Sequence, residues 1–223
     1  MIEQFYDLKP QVQELDRKTL ELCRDQFAHL EEIRDYNQLK MLRAFTDCGV
    51  EARHFLGSTG YGVWDDSRNK LEEVFSRCMG AEDALVRPQF MSGTHTLTVA
   101  LFGLLRAGDT LLAATGRPYD TLEGVIGIGE AGKGCGTLQE YGIHYDEVPL
   151  LPDFTPDYAA IAEHAKTATV VHIQRSRGYT QRNAFDLDTI QKVADTARKA
   201  NPDVVIFVAV SYTHLRAHET RHD

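Results

Sequence analysis

Ser92-Gly93-Thr94 stands immediately before a helical run carrying Leu97, Ala100, Leu101, Leu104 and Leu105, and that placement suits anion binding. The first turn of a helix has unpaired backbone N–H groups and the positive end of the helix dipole. A glycine there lets an anion approach the backbone, and flanking hydroxyls add donors. The triplet therefore reads as a phosphate seat. A serine N-cap beside a permissive glycine is the simpler alternative.

Two other constellations invite chemistry. Asp65-Asp66 could ligate a metal, but acidic residues at a helix start also answer the dipole, and no metal is expected. Gly127-Ile128-Gly129-Glu130-Ala131-Gly132 matches the dinucleotide pattern GxGxxG, and Gly132-Lys133-Gly134 approaches a phosphate-binding loop without its Ser or Thr. Both motifs function only between a strand and a helix N-terminus. Here the run from Thr121 to Ile128 reads as helix and more glycine follows, which suits a surface loop. A nicotinamide-dependent oxidoreductase using Gly127, Gly129 and Gly132 is the competing function. A non-catalytic, truncated binding protein is a third.

The elements around the triplet alternate. Strands are expected at 84–87, 110–114, 143–148, 169–173 and 204–208, with helices at 93–106, from Thr121, at 156–166 and at 187–200. Such alternation means βαβ units and a mostly parallel sheet, an α/β fold. Ligands of these sheets lie beyond the carboxyl ends of strands. That places Ser92–Thr94, Tyr119 and Gln174–Arg177 at one site. Upstream, residues 10 to 47 read as amphipathic helix, and a second helix follows Asp66 and stops at Gly80. The expected organisation is an N-terminal helical segment at 1–56 and an incomplete large domain at 57–208.

Composition sets the bounds. The chain has 223 residues, 43% of them apolar, enough for one domain with a core. A net charge of −9 speaks against nucleic-acid or anionic-membrane partners. Cys23, Cys48, Cys78 and Cys135 form no CxxC pair, so zinc and redox motifs are not expected. No leader and no apolar run of membrane length is visible, and the expected location is the cytoplasm. Residues 209–223 have no strand or helix periodicity and resemble a translated sequencing adapter. His214 and His218 are therefore not taken as metal ligands.

Together these stretches resemble a fold-type I pyridoxal-phosphate enzyme. More narrowly, the chain is similar to the methionine γ-lyase / cystathionine β-lyase-like family of aluminium-resistance proteins. The likeness rests on Gly57–Gly62, Gly80–Pro88, Ser92–His95, Gly116–Leu122 and Ile173–Tyr179, in that order. It implies pyridoxal 5′-phosphate as cofactor, a sulfur amino acid as substrate, and a homodimer or homotetramer for the full-length enzyme. Ser92, Gly93 and Thr94 would hold the phosphate, and Tyr119 would lie against the pyridine. Tyr61 matches a loop tyrosine that reaches a neighbouring subunit's phosphate in relatives, although Val63 replaces the arginine usual two residues later. Gln174 and Ser176 would contact the cofactor, and Arg175 and Arg177 the substrate carboxylate. His95, in the first turn of the phosphate helix, reads as packing or as support for the groups that touch the cofactor, not as a general base. The resemblance also implies an aspartate where Ala209 stands, and a Schiff-base lysine beyond it. No lysine of this chain matches that position, so the chain as given is expected to be inactive.

Overall fold

The computed structural model describes residues 5–58, 60–61, 65–130 and 133–210. The adapter-like stretch from Ser211 onward lies outside them, as do Thr59, Gly62, Val63 and Gly132. The described chain divides into two compact units at Val86/Arg87, well after the boundary expected at 56/57.

The first unit is helical. Helix α1 (Pro10–Leu22) starts with proline at a position where no N–H is needed, and α2 (Arg24–Asp47) follows after one residue. The expected single helix is thus broken at Cys23. Helix α3 (Asp66–Met79) packs on α2 through Ala44, Cys48, Val74 and Cys78. This shared core draws α3 into the N-terminal unit and moves the boundary. Lys70 extends the seam by donating Nζ to the Cys48 carbonyl at 2.7 Å. Gly80, at φ +64°, ends α3 in the left-handed conformation that glycine adopts freely. Asp65 is held by Arg68 at 3.1 Å and by the Ser58 hydroxyl at 2.8 Å, and Asp66 by Arg53 at 2.7 Å. Both aspartates are thus committed to side-chain partners of their own unit.

The second unit is the α/β part. Helix α4 (Gly93–Leu104) leads to β1 (Thr110–Ala113), α5 (Asp120–Ile126), β2 (His144–Glu147), α6 (Tyr158–His164), β3 (Val170–Gln174), α7 (Leu187–Ala200) and β4 (Val205–Ala209). The strands pair in parallel in the order β2-β1-β3-β4. Alternation along each strand sends successive side chains to opposite faces. Leu112, Val171 and Ile173 pack with Ile161 of α6 and Val193, Ala194 and Ala197 of α7. Leu111 and Val170 pack on the other side with Leu101 of α4 and Leu122 and Ile126 of α5. Helices cover both faces of the sheet, as the largely apolar strands β1, β3 and β4 require.

Two expectations need correction. Residues 84–87 form no strand. Leu85 is exposed, and the Val86 N–H donates to the Glu72 carboxylate at 2.9 Å instead of to a neighbouring strand. Ala209, expected to begin the foreign tail, is the last residue of β4 and pairs with Gln174.

The glycine-rich loop also departs from its motif. Gly127 is the left-handed C-cap of α5, at φ +98°, so a helix precedes the glycines where a dinucleotide site needs a strand. Further on, the Glu140 carboxylate accepts the N–H groups of Gly134, Gly136 and Thr137, which holds its pKa below the usual carboxylate range. An internal carboxylate occupies the amides that would otherwise face a phosphate. A Cβ on Gly127 would sit 2.6 Å from Thr137 Oγ1, which itself accepts the Glu140 N–H. Gly127→Ala should therefore destabilise the chain by about 2 kcal/mol, left-handed strain alone costing about 1–2 kcal/mol. Urea unfolding checks this, and an unchanged midpoint would rule out the tight approach.

Candidate functional site

Helix α4 builds the first wall of the site. Ser92 is extended and caps the helix, its Oγ accepting the His95 N–H at 3.1 Å. The first backbone turn bond runs from the Thr96 N–H to the Ser92 carbonyl. The N–H groups of Gly93 and Thr94 have no acceptor among the described residues. A Cβ on Gly93 would meet nothing within 4 Å, so there is room for a side chain at this position. Thr94 shares a hydroxyl–hydroxyl hydrogen bond of 2.9 Å with Thr121, which joins α4 to the first turn of α5. His95 is exposed; its Nδ1 accepts the Met91 N–H at 3.2 Å, and its ring meets Phe90 edge-on.

The second wall comes from the ends of β1 and β3. The turn after β1 carries Tyr119, whose N–H donates to Gln174 Oε1 at 2.7 Å. Gln174 Nε2 donates to the Ser176 carbonyl at 3.0 Å, so both ends of this amide brace the loop. The Tyr119 ring stacks on Tyr179 with centroids 5.6 Å apart and planes at 26°, and the hydroxyls meet at 3.3 Å. Gly178, at φ +58°, makes this possible, because a Cβ there would lie 3.2 Å from the Tyr119 ring.

Arg175 is buried, with Nε donating to the Phe185 carbonyl at 3.3 Å, whereas Arg177 is exposed. Behind them lies Arg182, only 4% exposed. Its guanidinium donates to four carbonyls, those of Gln174, Arg175, Ser176 and Asn183, at 2.6–3.3 Å. It also sits 4.1 Å from the Phe185 ring centroid. Burial lowers its pKa to about 10, so it keeps its charge at neutral pH.

These walls enclose a cavity of about 710 Å³, a size that suits a small-molecule ligand. Ser92, Gly93, Thr94, Tyr119, Gln174, Arg175, Ser176 and Arg177 all line it, together with Thr121, His172, Tyr179 and Ala209. The described lining includes two arginines, no carboxylate and no lysine. Tyr61 lies in the first unit and is exposed. Val63, which bears on the expected cross-subunit contact, is outside the described residues.

Sequence reasoning missed Thr121, His172, Tyr179 and Arg182. His172 carried a signal, being a lone polar residue in the apolar run Val170–Ile173. Arg182 carried none, because its partners are backbone carbonyls that only the folded loop assembles.

Comparison with known proteins agrees with this architecture. The family model for methionine gamma-lyase matches residues 12–221. The uncharacterized protein YnbB of Bacillus subtilis (strain 168) is 40% identical over 184 residues, covering 82% of this chain and 44% of YnbB. The crystal structure of a carbon–sulfur lyase involved in aluminium resistance from Clostridium novyi NT is 41% identical with a TM-score of 0.83, covering 90% of this chain and 48% of that one. A pyridoxal-5′-phosphate-dependent protein, YhfS of Escherichia coli, shares the fold at 19% identity and a TM-score of 0.56, covering 81% of this chain and 44% of that one. The α/β architecture is that of fold-type I enzymes. The chain spans about half the length of the relatives it matches.

Proposed function

Because the chain belongs to the methionine γ-lyase family, we propose that it forms the phosphate- and ring-binding part of a pyridoxal-phosphate-dependent carbon–sulfur lyase. The observation that carries this reading is the cavity itself. The N-terminal amides of α4, the hydroxyls of Ser92, Thr94 and Thr121, two tyrosine rings and two arginines converge there, with no carboxylate among the described lining residues. A dianionic phosphate finds donors and positive potential at the α4 end. Gly93, where a side chain has room, is where it would rest. Tyr119 supplies a flat apolar wall for the cofactor ring, fixed by the Gln174 strut.

Arg175 and Arg177 give the opposite rim its positive charge, which suits the carboxylate of a sulfur amino acid such as methionine or cystathionine. When bound, the cofactor supplies an electron sink for breaking bonds at the substrate's α-carbon. The described residues bind and orient, and no lysine among them reaches the cavity to move the α-proton. We therefore propose that the chain by itself binds the cofactor without turnover, in a cytoplasmic enzyme that assembles as a homodimer or homotetramer when full length.

The test is a binding measurement with pyridoxine 5′-phosphate, which lacks the aldehyde and cannot react with surface lysines. The chain should bind it, and Gly93→Asp should weaken binding at least 100-fold by putting a negative side chain in the phosphate's place. Because that Cβ meets nothing, the unfolding midpoint should stay within about 0.5 kcal/mol of the parent. Equal affinity in parent and variant would overturn the assignment of the seat. Release of ammonia from methionine or cystathionine by the chain alone would overturn the claim that it lacks turnover.

A further inference from the structure

Arg177, Gly178 and Tyr179 line the cavity from a four-residue turn. Thr180 closes that turn, its N–H and its hydroxyl both donating to the Arg177 carbonyl, at 3.1 and 2.6 Å. Gly178, at φ +58°, takes the first central position, where a left-handed backbone favours glycine. Tyr179 takes the second. Its ring is 86% exposed, so burial in the core does not hold it. It is held on Tyr119 instead, by the ring stack and by the bond that the Tyr119 hydroxyl donates to its own. A single exposed aromatic ring is ordinary on a protein surface. Here three features of the loop serve the same contact. The turn presents Tyr179 to Tyr119, Gly178 spares the Tyr119 ring a Cβ at 3.2 Å, and the Gln174 amide ties the Tyr119 N–H to the Ser176 carbonyl just before the turn. Tyr119 is thereby fixed at its backbone by Gln174 and at its ring by Tyr179.

We propose that Tyr179 is a positioning residue, which backs Tyr119 and sets the plane against which the ligand ring lies. The assignment rests on the cofactor reading above and deepens it. An aromatic ring has two faces. Tyr179 takes one face of Tyr119, and the ligand ring is set against the other. The bound state is then a stack of three layers, with Tyr179 outermost, Tyr119 in the middle and the ligand ring on the inside. Without Tyr179, rotation about the side-chain bonds of Tyr119 would let its plane tilt, and offset stacking at 26° holds that tilt. Tyr179 keeps its place when the ligand enters, because the two rings use different faces of Tyr119. It acts on the ligand through Tyr119 alone.

The experiment measures pyridoxine 5′-phosphate binding by the chain as it stands and by two variants. Tyr179→Leu removes the backing ring and should weaken binding about fivefold. Tyr179→Phe keeps the ring, loses only the 3.3 Å hydroxyl contact, and should bind within about twofold of the parent. Because Tyr179 is exposed, both variants should unfold at the parent's urea midpoint, which separates a lost position from a lost fold. In the unaltered chain with labelled tyrosines, nuclear Overhauser contacts between the Tyr119 and Tyr179 rings should persist at saturation with pyridoxine phosphate, a readout that does not depend on any variant folding. Unchanged binding by Tyr179→Leu, or an equal loss in Tyr179→Phe, would overturn the Tyr179 assignment alone. So would tighter binding by Tyr179→Leu or ring contacts that vanish on saturation, since either would mean that Tyr179 competes with the ligand for one face of Tyr119. Failure of the unaltered chain to bind pyridoxine phosphate would overturn the cofactor reading and this assignment with it.

Discussion

Arg182→Met is expected to destabilise the chain by about 2–4 kcal/mol and to loosen the whole segment from Gln174 to Phe185. Methionine preserves the apolar stem and the contact over Phe185, but it removes the donors that serve four buried or half-buried carbonyls. Each carbonyl left dry costs on the order of 1 kcal/mol or more, and water can recover part of the total. Three of these carbonyls belong to Gln174, Arg175 and Ser176, all of which line the cavity. Ligand affinity should therefore fall together with stability. Urea unfolding gives the first effect, and amide hydrogen exchange across 174–185 gives the second. Arg182→Lys should recover only part of the loss, because an ammonium cannot span the carbonyls that the planar guanidinium reaches. A loss below about 1 kcal/mol for the methionine variant would show that the loop holds itself together.

Leu112→Ala should cost about 2–5 kcal/mol, through lost burial and the void left behind. Leu112 is fully buried at the centre of β1, on the face covered by α6 and α7. Its close-packed neighbours include Val171 on the adjacent strand and Ile161 of α6, so little can move in to fill the space. The ligand cavity lies on the opposite face of the sheet. Pyridoxine phosphate affinity should thus change little while the unfolding midpoint drops, the reverse of the Gly93→Asp pattern. A midpoint shift worth less than about 1 kcal/mol would mean that the core collapses around the gap.

Much of this architecture was legible because strand and helix periods are local signals. Helix α7 spans 187–200 as expected, between an Asp186 cap and the Asn201 turn, and each expected strand from 110 onward is present within a residue or two. The stretch 84–87 was misread because its apolar composition suits a strand, while the strand itself needs a neighbour to pair with. The residues expected at strand ends do converge on one cavity. What sequence could not show was how their hydrogen-bonding groups are spent. Gln174 looked like a ligand contact and is also an internal brace, and Arg175, expected to meet a substrate carboxylate, is buried and gives its Nε to the Phe185 carbonyl. GxGxxG matched in letters, yet its helix lies on the wrong side and Glu140 takes the neighbouring amides.

The strand order has a consequence for how the second unit comes together. Pairing β1 with β2, or β3 with β4, joins residues roughly 35 apart in the chain, such as Thr110 with His144 and Val170 with Val205. The central seam between β1 and β3 joins Leu111 to Val170, roughly 60 apart, and closes the longer loop at greater entropic cost. Contacts that close long loops tend to form late. The Tyr119–Gln174 hydrogen bond crosses that same seam. Chain closure thus makes the wall carrying Tyr119 and Gln174 a product of the final zipping of the two strand pairs, and a half-folded chain carries the α4 N-terminus before the cavity's second wall stands opposite it.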